Sequence, residues 1–206
     1  MYRRHFIAAL AGAAATRAQA APRPVLILGD SLSAEYGLAR GTGWVALLTQ
    51  RLREQKLDIP VINASISGET TVGGRSRLPA LLAAHHPGTV VVALGGNDAL
   101  RGLPLSATED NLSVMVQSSR SAGAKVLLVG IEVPPNYGRD YSDRLAKVFK
   151  EVAARQHVSL VPSILKGVGD APNAPELFQA DRIHPLARAH PTMLANVWPA
   201  LIPLLR

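Results

Sequence analysis

Apolar residues recur along this chain in two alternating patterns. Short runs rich in valine, leucine and isoleucine fall at Val25 to Leu28, Val61 to Ala64, Thr89 to Leu94, Lys125 to Val129 and Val158 to Val161. Runs of this length and content read as strands buried on both faces. Between them the apolar positions take helical spacing. The pattern predicts a first helix over Thr42 to Gln55 that buries Trp44, Leu47, Leu48 and Leu52, and a shorter one over Leu78 to Ala84. A third opens at Ser106, where Ser106 and Glu109 make a capping box, and runs to Ser121 before Gly123. Tyr141 to Gln156 is the fourth, and the last starts at Pro191 and ends near Leu205. Strict alternation of strand and helix predicts a parallel sheet covered on both faces, built as a single domain over residues 21–206.

The first twenty residues stand apart. Arg3, Arg4 and His5 precede an apolar stretch from Phe6 to Ala15 and the small-residue sequence Ala18-Gln19-Ala20, which together predict an export signal over residues 1–20, cleaved after Ala20. Arg3-Arg4-His5-Phe6-Ile7 suits twin-arginine export, and the general secretory route fits as well. The apolar stretch is too short to span a bilayer, so the mature chain is expected to have no transmembrane segment. Removing Arg3, Arg4 and Arg17 lowers the formal charge from +7 to +4. The remaining basic residues are scattered and only 4% of residues are aromatic, which argues against a nucleic-acid partner. Cysteine is absent, excluding disulfides, thiolate metal sites and a cysteine nucleophile.

Four segments carry candidate chemistry. Ser31 follows the first strand in Gly29-Asp30-Ser31-Leu32-Ser33, at the edge where open parallel sheets place their sites. A serine hydroxyl needs a base, and the base needs an acid to hold its tautomer. His184 with Asp181 three residues earlier meets that requirement. His190 has Ala187 at the same spacing, and His85 and His86 sit at a helix end, so these are read as structural. Acyl transfer also needs donors for the oxyanion. The N–H groups of Ser31 and Gly68 and the amide of Asn97 belong to loops after the first three strands, and would supply three. Asp30 and Asp98 read as turn and supporting hydrogen bonders. A dinucleotide-like Gly41-Thr42-Gly43 fails because it does not directly follow its strand, no Gly-x-Ser-x-Gly elbow exists, and the histidines are too dispersed for a metal site.

These blocks resemble the SGNH (GDSL) hydrolase family, with the likeness running from Leu26 to the final helix. Ile27 to Ala34, Asn63 to Thr70, Arg77 to Leu82, Leu94 to Asp98 and Asn136 to Arg139 are similar to its subgroup of bacterial periplasmic thioesterases and lysophospholipases. The resemblance implies Ser31 as nucleophile, Asp181 and His184 as its partners, and an oxyanion hole from Ser31, Gly68 and Asn97. It also implies a flavodoxin-like three-layer α/β/α sandwich with a five-stranded parallel sheet, and esterase, thioesterase and lysophospholipase activity without cofactor or metal. Two positions depart from the subgroup: Glu35 and Arg182 stand where it usually has glycine. Both are expected to change the charge and width of the site mouth.

Two apolar loops are expected to line an acyl groove: Leu100, Leu103, Pro104 and Leu105 after the third strand, and Tyr137 after the fourth. The Gly- and Pro-rich segment Gly167 to Pro175 is expected to border the site. The expected substrate is a small acyl ester or thioester, extending to lysophospholipids. A carbohydrate O-deacetylase on the same fold and a non-catalytic acyl-binding protein are the alternatives.

Overall fold

The computed structural model describes residues 22–206; the expected leader lies outside them. Strands β1 (Val25–Gly29), β2 (Val61–Asn63), β3 (Thr89–Ala93), β4 (Lys125–Val129) and β5 (Ser159–Val161) form one parallel sheet in the order β2-β1-β3-β4-β5. Helices α1 (Trp44–Glu54), α2 (Thr71–His85), α3 (Gly96–Leu100), α4 (Leu105–Ser121), α5 (Arg139–Gln156), α6 (Ala174–Leu177) and α7 (His190–Leu201) connect and cover it. The predicted strands are all present, each within a residue or so of its expected ends.

The period of two along each strand sorts side chains into two cores. Leu26, Leu28, Val90, Val92, Val126 and Leu128 face α2, α4 and α5 on one side. Val25, Ile27, Val91, Leu127 and Val129 face α1 and α7 on the other. Both faces being dry explains why these strands read as continuous apolar runs. The chain leaves β1 for α1 on one face and β3 for α3 and α4 on the other. A crevice therefore opens between the C-terminal ends of β1 and β3, the switch point of the sheet.

Several helix expectations need correction. Helix α2 starts at Thr71, well before Leu78, because the buried Asp98 carboxylate accepts the Thr71 N–H at 2.8 Å and also its hydroxyl. The capping box at Ser106 is not formed: α4 begins one residue earlier, after Pro104, without a side-chain cap, and Glu109 pairs with Arg155 instead. Helix α5 begins at Arg139, and α7 ends at Leu201 before a short 3-10 turn over Ile202–Leu205. The short α3 and α6 carried no clear periodic signal. Among the described residues no helix is long and apolar enough to cross a membrane.

Candidate active site

Ser31 sits in the turn that closes β1. Gly29 has to be glycine there, since a Cβ would approach Ser33 Oγ to 2.7 Å and Ser65 Oγ to 2.9 Å. The turn is held by Asp30, whose carbonyl accepts the N–H groups of Ser33 and Ala34 and whose Oδ1 accepts the Leu32 N–H at 3.1 Å. The N–H of Ser31 has no partner among the described residues.

The opposite half of the site is one short loop. Phe178 and Pro185 form an antiparallel bridge, and the N–H of Gln179 donates to the His184 carbonyl at 2.8 Å. Within it, Asp181 Oδ1 accepts the N–H groups of Ile183 and His184 at 2.9 and 3.0 Å, while Oδ2 meets His184 Nδ1 at 2.7 Å. His184 Nε2 lies 2.8 Å from Ser31 Oγ. Burial opposes ionisation of Asp181, but these three hydrogen bonds outweigh it and draw its pKa down to about 2. An ionised carboxylate only accepts, so Nδ1 carries the proton and Nε2 presents its lone pair to the serine hydroxyl. That arrangement can take a proton from Ser31.

Two residues missed in the sequence join these halves. Gln179 Nε2 donates to the Tyr36 carbonyl at 2.9 Å, and the Tyr36 ring packs at a tilt of 41° against the His184 imidazole with centroids 4.4 Å apart. The departure at Glu35 proves to be structural. Its backbone takes the left-handed conformation at φ 59°, where glycine is usual, and its carboxylate turns away to accept the N–H groups of Gly41 and Gly43. The expected effect of Glu35 on the mouth is not seen. Arg182 is likewise left-handed, at φ 58°, but it does line the cleft.

Gly68, at φ 80°, has its carbonyl held by Arg101 at 2.8 Å, and its own N–H is without a partner among the described residues. The neighbouring Glu69 carbonyl accepts from Asn97 Nδ2 at 3.0 Å, which draws the Gly68 loop against Asn97. The second hydrogen of that amide is aimed at Asp30 Oδ2, 3.3 Å away. An oxyanion would compete for this longer contact. Asp98 is buried and bound to Thr71, whose hydroxyl also accepts from Asn111. His190 is buried too, accepting the Trp44 N–H at 3.0 Å, and burial lowers its pKa. Neither Asp98 nor His190 lines the cleft.

A cleft of about 610 Å³ opens above Ser31, His184 and Asn97. Its apolar wall differs from the expected one. Leu100 lines it, but Leu103 and Pro104 point outward, Leu105 packs into the core, and Tyr137 packs on Tyr141 and donates its hydroxyl to the Leu100 carbonyl. Ile131, Val133, Pro134, Leu165 and Phe178 take their place. These follow β4 and β5, whose loops reach the same edge. The segment expected to border the site does so through Gly169, Asp170, Ala174 and Pro175. No cluster of metal-ligating side chains occurs among the described residues.

Residues 27–191 match the model of the GDSL-like lipase/acylhydrolase family. The chain is 51% identical to the esterase TesA of Pseudomonas aeruginosa over 91% of its own length and 92% of that protein. It is 41% identical to thioesterase 1/protease 1/lysophospholipase L1 of Escherichia coli, covering 84% of this chain and 80% of the relative. A crystal structure of TesA superposes with a TM-score of 0.84 at 50% identity, covering 88% of this chain and 99% of that one.

The Asp30 carboxyl is nearly buried, and desolvation lifts its pKa from 3.8 to about 6 despite the hydrogen bonds from Leu32 and Asn97. The folded chain therefore holds this proton more tightly than the unfolded one. The stability this contributes is present below about pH 4 and is lost as pH rises through about 6. Relative to Asp30→Asn, which does not titrate, the native protein is expected to lose at most about 3 kcal/mol between pH 4 and pH 7. Urea unfolding of both proteins across that range measures it, and a flat difference would refute the shift.

Proposed function

Because the chain belongs to the GDSL-like lipase/acylhydrolase family, we propose that it hydrolyses carboxylic esters and thioesters through an acyl-enzyme on Ser31. The observation that carries this reading is the continuous relay from Asp181 through His184 to Ser31, at 2.7 and 2.8 Å, beneath an apolar cleft. As Ser31 Oγ attacks the substrate carbonyl carbon, His184 Nε2 takes its proton. The ionised Asp181 stabilises the imidazolium that forms. The carbonyl oxygen becomes an oxyanion facing the N–H groups of Ser31 and Gly68 and the Asn97 amide. Collapse re-forms the carbonyl and breaks the bond to the leaving oxygen or sulfur, which takes the proton from His184. Water, deprotonated by His184, then attacks the acyl-serine; the bond from the acyl carbon to Ser31 Oγ breaks, Oγ takes the proton back from His184 and the carboxylic acid leaves. All groups required are side chains and backbone of this chain, and no cofactor is invoked.

The substrate follows from the cleft. Leu100, Ile131, Val133, Pro134, Leu165 and Phe178 offer an apolar surface for an acyl chain, and each buried methylene contributes at most about 0.8 kcal/mol. An acetyl group gains little there, which favours medium-chain esters, thioesters and lysophospholipids over acetylated sugars. We further assign residues 1–20 as a cleaved export signal, making the mature enzyme periplasmic or secreted. Amino-terminal sequencing of the protein recovered outside the cytoplasm should begin at Ala21, and a full-length cytosolic chain would overturn the assignment.

Ser31→Ala and His184→Ala should each remove nearly all turnover of an aryl ester, and the double variant should be scarcely worse, because the two groups act as a unit. A phosphonate ester should phosphonylate Ser31, located by peptide mass. Independent, additive losses or an adduct on another residue would sink the mechanism.

Chain-length selectivity should reside in the newly identified wall. Phe178→Ser is expected to lower kcat/KM for octanoyl esters about tenfold more than for acetyl esters, in line with losing contact with one or two methylenes. Equal losses on both substrates would move the acyl chain elsewhere.

A further inference from the structure

Three features of Arg182 come together. It is a non-glycine residue held in the left-handed region, at φ 58°, a conformation that disfavours side chains with a Cβ. It lines the same cleft as Ser31 and His184. Its guanidinium has neither an ion pair nor a hydrogen-bond acceptor among the described residues. Arg101, beside the oxyanion loops, is by contrast committed to the Gly68 carbonyl, and Arg188, on the stretch that follows His184, to the Glu176 carbonyl. The remaining charged residues lining the cleft are the acids Asp30, Glu132 and Asp170, so Arg182 is its one fixed positive charge among the described residues.

The chemistry of the relay decides which half of a substrate it meets. His184 returns its proton to the departing oxygen or sulfur, so the leaving group lies on the imidazole side, opposite the oxyanion donors. Arg182 is two residues from His184, in a loop pinned by its own N–H to the Gln179 carbonyl at 2.9 Å and by Asp181. We infer that Arg182 is a specificity residue that recognises a phosphate on the leaving-group half of the substrate, a few bonds from the scissile oxygen. Glu132 and Asp170, on the loops after β4 and β5, disfavour an anion elsewhere at the mouth and so give it a polarity. This inference rests on the proposed ester hydrolysis and adds the direction in which a charged substrate lies.

Matched ester pairs test it. Octanoyl glycerol and octanoyl glycerol phosphate, below their micelle concentrations, differ by a phosphate on the alcohol; methyl hexanoate and monomethyl adipate differ by a carboxylate on the acyl half. At low salt the native protein should favour octanoyl glycerol phosphate over octanoyl glycerol in kcat/KM, mainly through KM. Arg182→Gln and Arg182→Gly should each reduce that preference about threefold to fivefold, the scale of an exposed charge pair, and Arg182→Lys should restore most of it. The preference should shrink in about 0.5 M salt. The second pair should keep its ratio in every variant. If the first ratio is unchanged in Arg182→Gln, or both members fall equally, or the acyl-half pair responds as strongly, the inference fails while ester hydrolysis stands. If the native protein cleaves none of the four esters, the functional reading itself fails.

Discussion

Much of the site hangs on one carboxylate. Asp181 uses one oxygen to fold its own loop, accepting two backbone N–H groups, and the other to orient His184. The same ion therefore sets the position of the His184 imidazole and its tautomer. Since a carboxylate loses these acceptor bonds on protonation, its strongly lowered pKa keeps both functions coupled through the neutral range. Rotating Asp181 to free the imidazole would also release the N–H groups of Ile183 and His184. The geometry of His184 is in this sense inseparable from the fold of its loop.

The other acids near the cleft follow the same logic. Glu35 anchors the N–H groups of Gly41 and Gly43 just before α1. Asp98 anchors the start of α2 from the neighbouring α3, and Asp30 ties the Ser31 turn to Asn97. Each replaces a short-range cap with a bond from a segment distant in sequence or across a turn. Loops that would otherwise be free are thereby held to a buried scaffold, consistent with the need for preorganised donors where charge develops.

Much of this was legible because the physics is local. Buried parallel strands write themselves as short apolar runs, and the Asp181 to His184 spacing works within one loop. What escaped depends on contacts between distant segments. The first two turns of α2 include Gly73 and Gly74, poor helix formers, and are stabilised by Asp98, 27 residues away. Glu109 has the capping-box spacing from Ser106, yet it pairs with Arg155 on α5. Proximity to Asn97 in sequence points to Leu103 and Leu105 for the apolar wall, whereas the sheet order delivers Leu165 and Phe178 from beyond β5. Glu35 and Arg182 look alike in sequence as replacements of glycine. Only three-dimensional structure distinguishes the one that turns its carboxylate into the scaffold from the one that faces the cleft.

Ser31 and His184 are separated by 153 positions and meet across a single 2.8 Å contact. The loop bearing His184 is anchored through Pro185 and Leu186 and leads directly into α7, which covers one face of the sheet against α1. In a nascent chain this contact therefore forms only after that loop and α7 have been synthesised and docked. Conversely, local unfolding that peels α7 and its preceding loop away would break the contact while the five strands persist. The pairing of Ser31 with His184 thus doubles as a latch, closed only when the segment carrying α7 is seated on the sheet.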